Sequence, residues 1–166
     1  MRWPLRRAES PPPDAVARLD PDERVVAWGT AADGSAVIAT PLGLWLPALE
    51  RLSWHHITHL SWSGTMMSVT AAVEVEPSVL ENQPARSVRL TEPRTLPETV
   101  QQRFYSSRSH TTRHRLSDGS GVIIVARRVP GQDGLTWYAV YDDVERRNDP
   151  IAQAEVEWLL DSARSP

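Results

Sequence analysis

Between Arg24 and Leu90 the chain breaks into short apolar runs separated by turn-forming residues, a pattern that favours strands over helices. The clearest break is Asp33-Gly34, set between Arg24–Thr30 (Val25, Val26, Ala27, Trp28) and Ser35–Thr40. Glycine accepts the positive φ of a tight turn, so this dipeptide predicts a hairpin. Pro41-Leu42-Gly43 then turns the chain into Leu44–Leu46. In Arg51–Trp62 the apolar residues Leu52, Trp54, Ile57, Leu60 and Trp62 are spaced two, three, three and two apart. A single strand keeps a period of two, so two short strands joined by a bend near His55–Thr58 are expected. Ser63-Gly64 is a turn and Thr65–Val75 a longer strand. Glu76–Arg86, polar and with two prolines, reads as a loop, and Ser87–Leu90 as a strand.

Helical signals come late. Thr95 and Glu98 have the spacing of a capping box, and Leu96, Val100 and Phe104 share one face, which predicts a helix over Pro97–Ser106. Arg113–Leu116, Val122–Arg128 and Leu135–Tyr141 follow as strands, with turns at Asp118–Gly121 and Pro130–Gly134. The continuous apolar run Val122–Ala126 implies burial on both faces. Asp149-Pro150 opens a last helix, with Ala152, Val156, Leu159 and Ala163 on one side. At the other end, Pro11–Pro13 should form an extended tether, followed by one helical turn over Asp14–Leu19 capped by Asp14. The summed order is α+β and β-rich.

The chain has 166 residues, one domain or one domain with an appended subdomain. It lacks cysteine, which excludes disulfides, thiolate metal sites and a cysteine nucleophile. It also lacks lysine, so a Schiff base and a Walker lysine are excluded too. The net charge is −3, with arginine as the sole basic side chain other than histidine. Codon usage in a GC-rich genome accounts for that choice more simply than selection for bidentate anion contacts. Arg2, Arg6 and Arg7 precede Pro11–Pro13 rather than an apolar run, and nothing approaches the roughly 18 apolar residues of a membrane span. A soluble, cytoplasmic protein is expected.

Three segments carry a family resemblance. Leu19-Asp20-Pro21-Asp22-Glu23-Arg24-Val25-Val26, then Ile38-Ala39-Thr40-Pro41-Leu42-Gly43-Leu44, then Leu52-Ser53-Trp54-His55-His56-Ile57 together resemble the start of bacterial pleckstrin-homology-like (PH-like) domains. Ile123–Gly131 and Leu135–Asp142 are similar to stretches of uncharacterised actinobacterial proteins that carry such a segment. The resemblance implies a PH-like, partly open antiparallel barrel over 19–107, capped by the helix at Pro97–Ser106. It places a Pro-rich tail at 1–18 and a C-terminal β-β-α extension at 108–166. It implies a binding role without conserved chemistry, and a fold alone names no ligand. Phosphoinositide-binding members use a basic first hairpin. Ala31-Ala32-Asp33-Gly34-Ser35 carries an acid and no base, which argues against such binding.

Two residue clusters are candidate sites. His55, His56 and His59 offer three imidazoles, enough to hold zinc with one position open for water in a metal-dependent hydrolase. They lack the glutamate base and helical spacing of a metalloprotease motif, and in a strand His56 would point away from the other two. Arg108, Arg113, Arg115, Arg127 and Arg128, near Arg103, Tyr105 and His110, form the main basic concentration, a candidate for binding nucleic acid. A solvated face balanced by Asp142, Asp143 and Glu145 is the simpler reading. His110 and His114 have helical spacing but lie in the polar run Ser109–Arg115. Gly119-Ser120-Gly121 is one residue short of a nucleophile elbow and falls in a turn. Asp142-Asp143 and Glu74/Glu76 read as solvated strand ends. No phosphate loop or dinucleotide fingerprint is present, so no cofactor is expected.

Seven tryptophans exceed what a core of this size needs. Trp28, Trp45, Trp54 and Trp137 fit core positions, whereas Trp3 and Trp62 have no obvious burial. The expectation is a non-enzymatic module that binds a protein partner or a second copy of itself.

Overall fold

The computed structural model describes residues 10–48 and 50–165. A single helical turn, α1 (Pro13–Val16), precedes a meander of β1 (Ala27–Ala31), β2 (Ala36–Ala39), β3 (Gly43–Trp45) and β4 (Arg51–Ser53). A 3₁₀ turn at Trp54–His56 leads into β5 (Ile57–Ser63), β6 (Met66–Glu76), β7 (Val79–Asn82) and β8 (Arg86–Glu92). Helix α2 (Leu96–Ser107) then passes directly into β9 (Arg108–Arg115), β10 (Gly121–Arg127) and β11 (Thr136–Tyr141). A second 3₁₀ turn, Val144–Asn148, and α3 (Pro150–Arg164) complete the chain. The architecture is α+β and strand-rich, with one large, mostly antiparallel, unclosed sheet. Among the described residues no helix is long and apolar enough to cross a membrane.

The sheet runs β4-β3-β2-β1-β8-β6-β7-β11-β10-β9, with β5 on the other side of β6. Its centre is a fork. The first half of β6 pairs with β8 (Met67 opposite Val88) and the second half with β7 (Ala72 opposite Asn82). Gln83 N–H bonds to Ala71 O between them, so β7 and β8 are two parts of one partner strand. They then diverge. Beyond β8 lies β1, whereas beyond β7 lies β11, paired in parallel through Val79–Ala139 and Leu80–Val140.

Each arm of the fork buries its own core. The first gathers Val37, Leu44, Leu46, Trp54, Ile57, Met67, Val69 and Leu90 around Leu96, Val100 and Phe104 of α2. The second packs Val79, Val122, Ile124, Ala139 and Tyr141 against Ala152, Val156 and Leu160 of α3. On the sheet face away from α3, Leu80, Val125, Tyr138 and Val140 form a third, smaller cluster.

Several expectations need correction. The segment 76–86 is not all loop: β7 lies within it, bracketed by Pro77 and Pro84, and joins the two arms. The polar run after α2 is strand from Arg108 onward, because β10 supplies its ladder. Thr95 occupies the helix N-cap but its side chain makes no capping bond, so the capping box does not form. Asp14 lies inside α1 rather than capping it, and Pro11 is buried rather than part of a free tether. Asp149 does cap α3, accepting from Ile151 N–H at 3.0 Å.

A buried arginine ties the arms together. Arg127, on β10, is 1% exposed. Its Nη1 donates to Ile57 O at 2.8 Å and its Nη2 to Trp54 O and Ser107 Oγ, both at 2.6 Å. Nε donates to Ser107 O at 3.3 Å. Burial, with Arg108 adding repulsion, lowers its pKa to about 10, so it remains charged at neutral pH. Removing the guanidinium would strip four bonds from the seam, leaving Ser107 O with Arg128 N–H and Trp54 O with Ile57 N–H. Arg127→Leu is expected to lose about 3–5 kcal/mol of stability. Arg127→Lys should recover only part of it, since one ammonium cannot match the fork of donors. Denaturant midpoints of the two variants at pH 7 test this; equal midpoints with the parent would refute it.

Candidate interaction surface

The candidate arginines divide by strand geometry. Ile123, Val125 and Arg127 alternate on the face of β10 turned away from α3, and for this reason Arg127 is internal rather than a surface cation. Arg113 is exposed and paired with Asp142 at 2.5 Å. Arg108 lies over the Phe104 ring at 5.4 Å and donates to Thr111 Oγ1, while Arg128 donates to Ser106 O. Arg115 is exposed at the end of β9 and makes no ion pair among the described residues. With Arg127 internal and Arg113 neutralised, the cluster does not form one cationic groove of the kind single-stranded nucleic acid requires.

A different feature lies beside it. Trp158 on α3 is 68% exposed, and Ile151, seven residues earlier on the same helix flank, is 66% exposed. Both follow from the helix phase. Ala152, Val156 and Leu160 take the inward stripe, which turns positions 151, 154, 155 and 158 outward. Trp158, Leu159 and Ala154 line one wall of an open groove of about 720 Å³, and His114–Ser117 line the other. Glu155 spans it, accepting from Ser117 N–H at 3.0 Å. The sequence reading missed Trp158, although its helical phase relative to Ala152, Val156 and Ala163 already placed it outside the core. Trp62, by contrast, packs partly against the first core. Trp3 lies outside the described residues.

The histidines sit at the seam between the arms. His55 and His56 occupy the 3₁₀ turn with ring centroids 4.2 Å apart, and His56 meets the Tyr138 ring edge-on at 6.3 Å. His59 is exposed on β5, with Nδ1 3.2 Å from Thr58 Oγ1. Among the described residues no three histidine or carboxylate side chains converge to hold a metal. The hydrolase reading of His55, His56 and His59 therefore lacks its ligand geometry, and the fixed charge of Arg127 beside the pair opposes a bound cation. Ser120 Oγ donates to Asp118 Oδ1 within its own turn, a local tether rather than an activated nucleophile. Comparison with protein-family models, curated proteins and solved structures finds no match.

Burial lowers the pKa of His55 to about 4, and His56, Arg127 and Arg51 push in the same direction. Its Nδ1 is buried without a partner. Burial also lowers His56, outweighing an upward pull from Glu74, and Arg127 adds a smaller downward one. A folded-state pKa below the ordinary histidine value of 6.5 means that the unfolded chain binds the proton first. Stability is therefore expected to fall as pH drops from 6.5 towards 4, by at most about 3 kcal/mol from His55. Urea unfolding across that window checks this, and His55→Gln should flatten the slope. A variant with the parent's slope would exclude His55 as its source.

Proposed function

We propose that this protein is a non-enzymatic binding module, in which a PH-like barrel carries a C-terminal extension that docks a protein partner along α3 and β9. The observation that carries the reading is Trp158, held 68% exposed over a groove on ordered secondary structure. A large aromatic side chain left in water beside a concave wall is the usual anchor of a protein interface. The PH-like part of the proposal rests on the order of the first arm. A four-strand meander is followed by β5, β6, β7 and β8 and by α2, whose Leu96, Val100 and Phe104 plug the core. Phosphoinositide binding fits poorly, because the β1–β2 turn presents Asp33 and no base. A cysteine-free chain suits a cytoplasmic place of action.

Trp158→Asp separates this reading from a merely structural role. Trp158 is exposed, so the variant should melt within a few degrees of the parent. Tagged parent protein in lysate of its native host should retain one stoichiometric protein at moderate salt. The Trp158→Asp variant should lose it, by about thirtyfold in affinity or more. A partner retained equally by both would move the interface elsewhere on the molecule.

A further inference from the structure

The free edge of β9 adds the mode of binding. It ends the sheet path, so among the described residues its outer side is unpaired, and a bulge at Ser109 leaves His110–Arg115 as its regular stretch. Leu116 N–H bonds to Ser120 O across the β9–β10 turn, which sets the phase of the ladder. Antiparallel pairs alternate, so His110, Thr112 and His114 bond inward to β10. The N–H and C=O groups of Thr111, Arg113 and Arg115 therefore point outward. No proline interrupts the strand, and the groove beneath Trp158 opens at its C-terminal end. An exposed edge of this length is a template for another strand.

Building on the interaction-module reading, we infer that β9 takes up an extended acidic segment of another protein. That segment adds as a further strand and seats an apolar side chain among Leu116, Trp158 and Leu159. Charge selects the occupant. The strand, Arg-Ser-His-Thr-Thr-Arg-His-Arg, contains three arginines, two histidines and no acid. A second copy would set this cationic strand against itself, and like charges across a strand pair disfavour it. Asp and Glu opposite Arg108 and Arg115 are favoured by the same rule. The basic edge thus repels its own kind and admits an acidic strand.

Selection of random linear peptides on the full chain tests the inference. Enriched sequences should alternate acidic residues around a Trp, Phe or Leu, and a synthetic consensus peptide should bind more weakly as salt rises. Thr111→Pro removes one outward N–H and leaves the β9–β10 ladder intact, a change an edge strand tolerates. It should weaken the peptide by about tenfold or more, with Thr111→Ala within about twofold of the parent. A peptide methylated on alternate backbone nitrogens should lose binding to the parent itself, which holds even if Thr111→Pro folds poorly. A neutral consensus, no enrichment, or equal binding of the methylated peptide would each overturn strand addition. So would a β9-mediated homodimer in sedimentation that Thr111→Pro dissolves. If Trp158→Asp loses the lysate partner while Thr111→Pro keeps it, the interaction module survives and strand addition fails.

Discussion

Arg127 occupies the one place where the two arms of the sheet must meet without a strand between them. The Trp54–His56 turn, the start of β5 and the end of α2 all present backbone acceptors there. The backbone of the second arm reaches one of them, through Arg128 N–H to Ser107 O at 2.8 Å, and the Arg127 side chain supplies bonds to the rest. A guanidinium, with five donors in a rigid plane, supplies bonds in several directions at once. Among the described residues no carboxylate pairs with it, and the charge is met by carbonyl and hydroxyl dipoles and by the Phe104 ring at 5.7 Å. Desolvating a cation in this way is tolerable only if its donors are well placed. The same cation adds to the effect of burial in lowering the pKa of His55 and His56.

The fork in β6 explains why the two ends of the sheet differ. At one end β4 is three residues long and its Arg51 is held by Asp20 and Glu23 from the N-terminal segment. Glu23 is itself a hub. Its carboxylate accepts from Thr40 Oγ1 and Trp45 Nε1, and these bonds with that from Arg51 overcome the upward effect of burial on its pKa. That edge is short and braced through Arg51. At the other end β9 is eight residues long, and α3 packs on the sheet face without crossing the edge. The N-terminal segment braces β4, while among the described residues β9, like β5, has a strand partner on one side alone.

Much of the fold was legible because it depends on local chemistry. Asp33-Gly34 forms the expected turn, with Gly34 at φ +87° and Asp33 Oδ1 accepting from Ser35 N–H. The broken period around His55 marks the 3₁₀ turn, and Asp149-Pro150 starts α3. What escaped reading depends on partners distant in sequence. Val79 and Leu80 form too short an apolar run, between two prolines, to announce a strand. β7 exists because β6 and β11 offer ladders on both sides. The polar residues of β9 carry no period-two signal, since neither side of an edge strand with exposed faces has to be apolar. The candidate surface is half visible in the sequence: the arginines stand out as a concentration, whereas Trp158 is one of seven tryptophans and only its helical phase singles it out.

The arginines show why a count could not have been enough. Arg115 and Arg127 sit on neighbouring strands, yet their roles are set by phase and position rather than by residue type. On β10 the alternation that buries Val125 carries Arg127 inward, where its value lies in matching fixed acceptors. On β9 no further strand among the described residues covers Arg115, so its charge faces whatever approaches the edge. A uniformly basic patch would attract any polyanion. Dividing it leaves isolated cations spaced along an unpaired backbone, with an indole at one end. Such a surface discriminates through backbone pairing, side-chain charge and one apolar contact together, and an extended acidic segment of a protein meets all three.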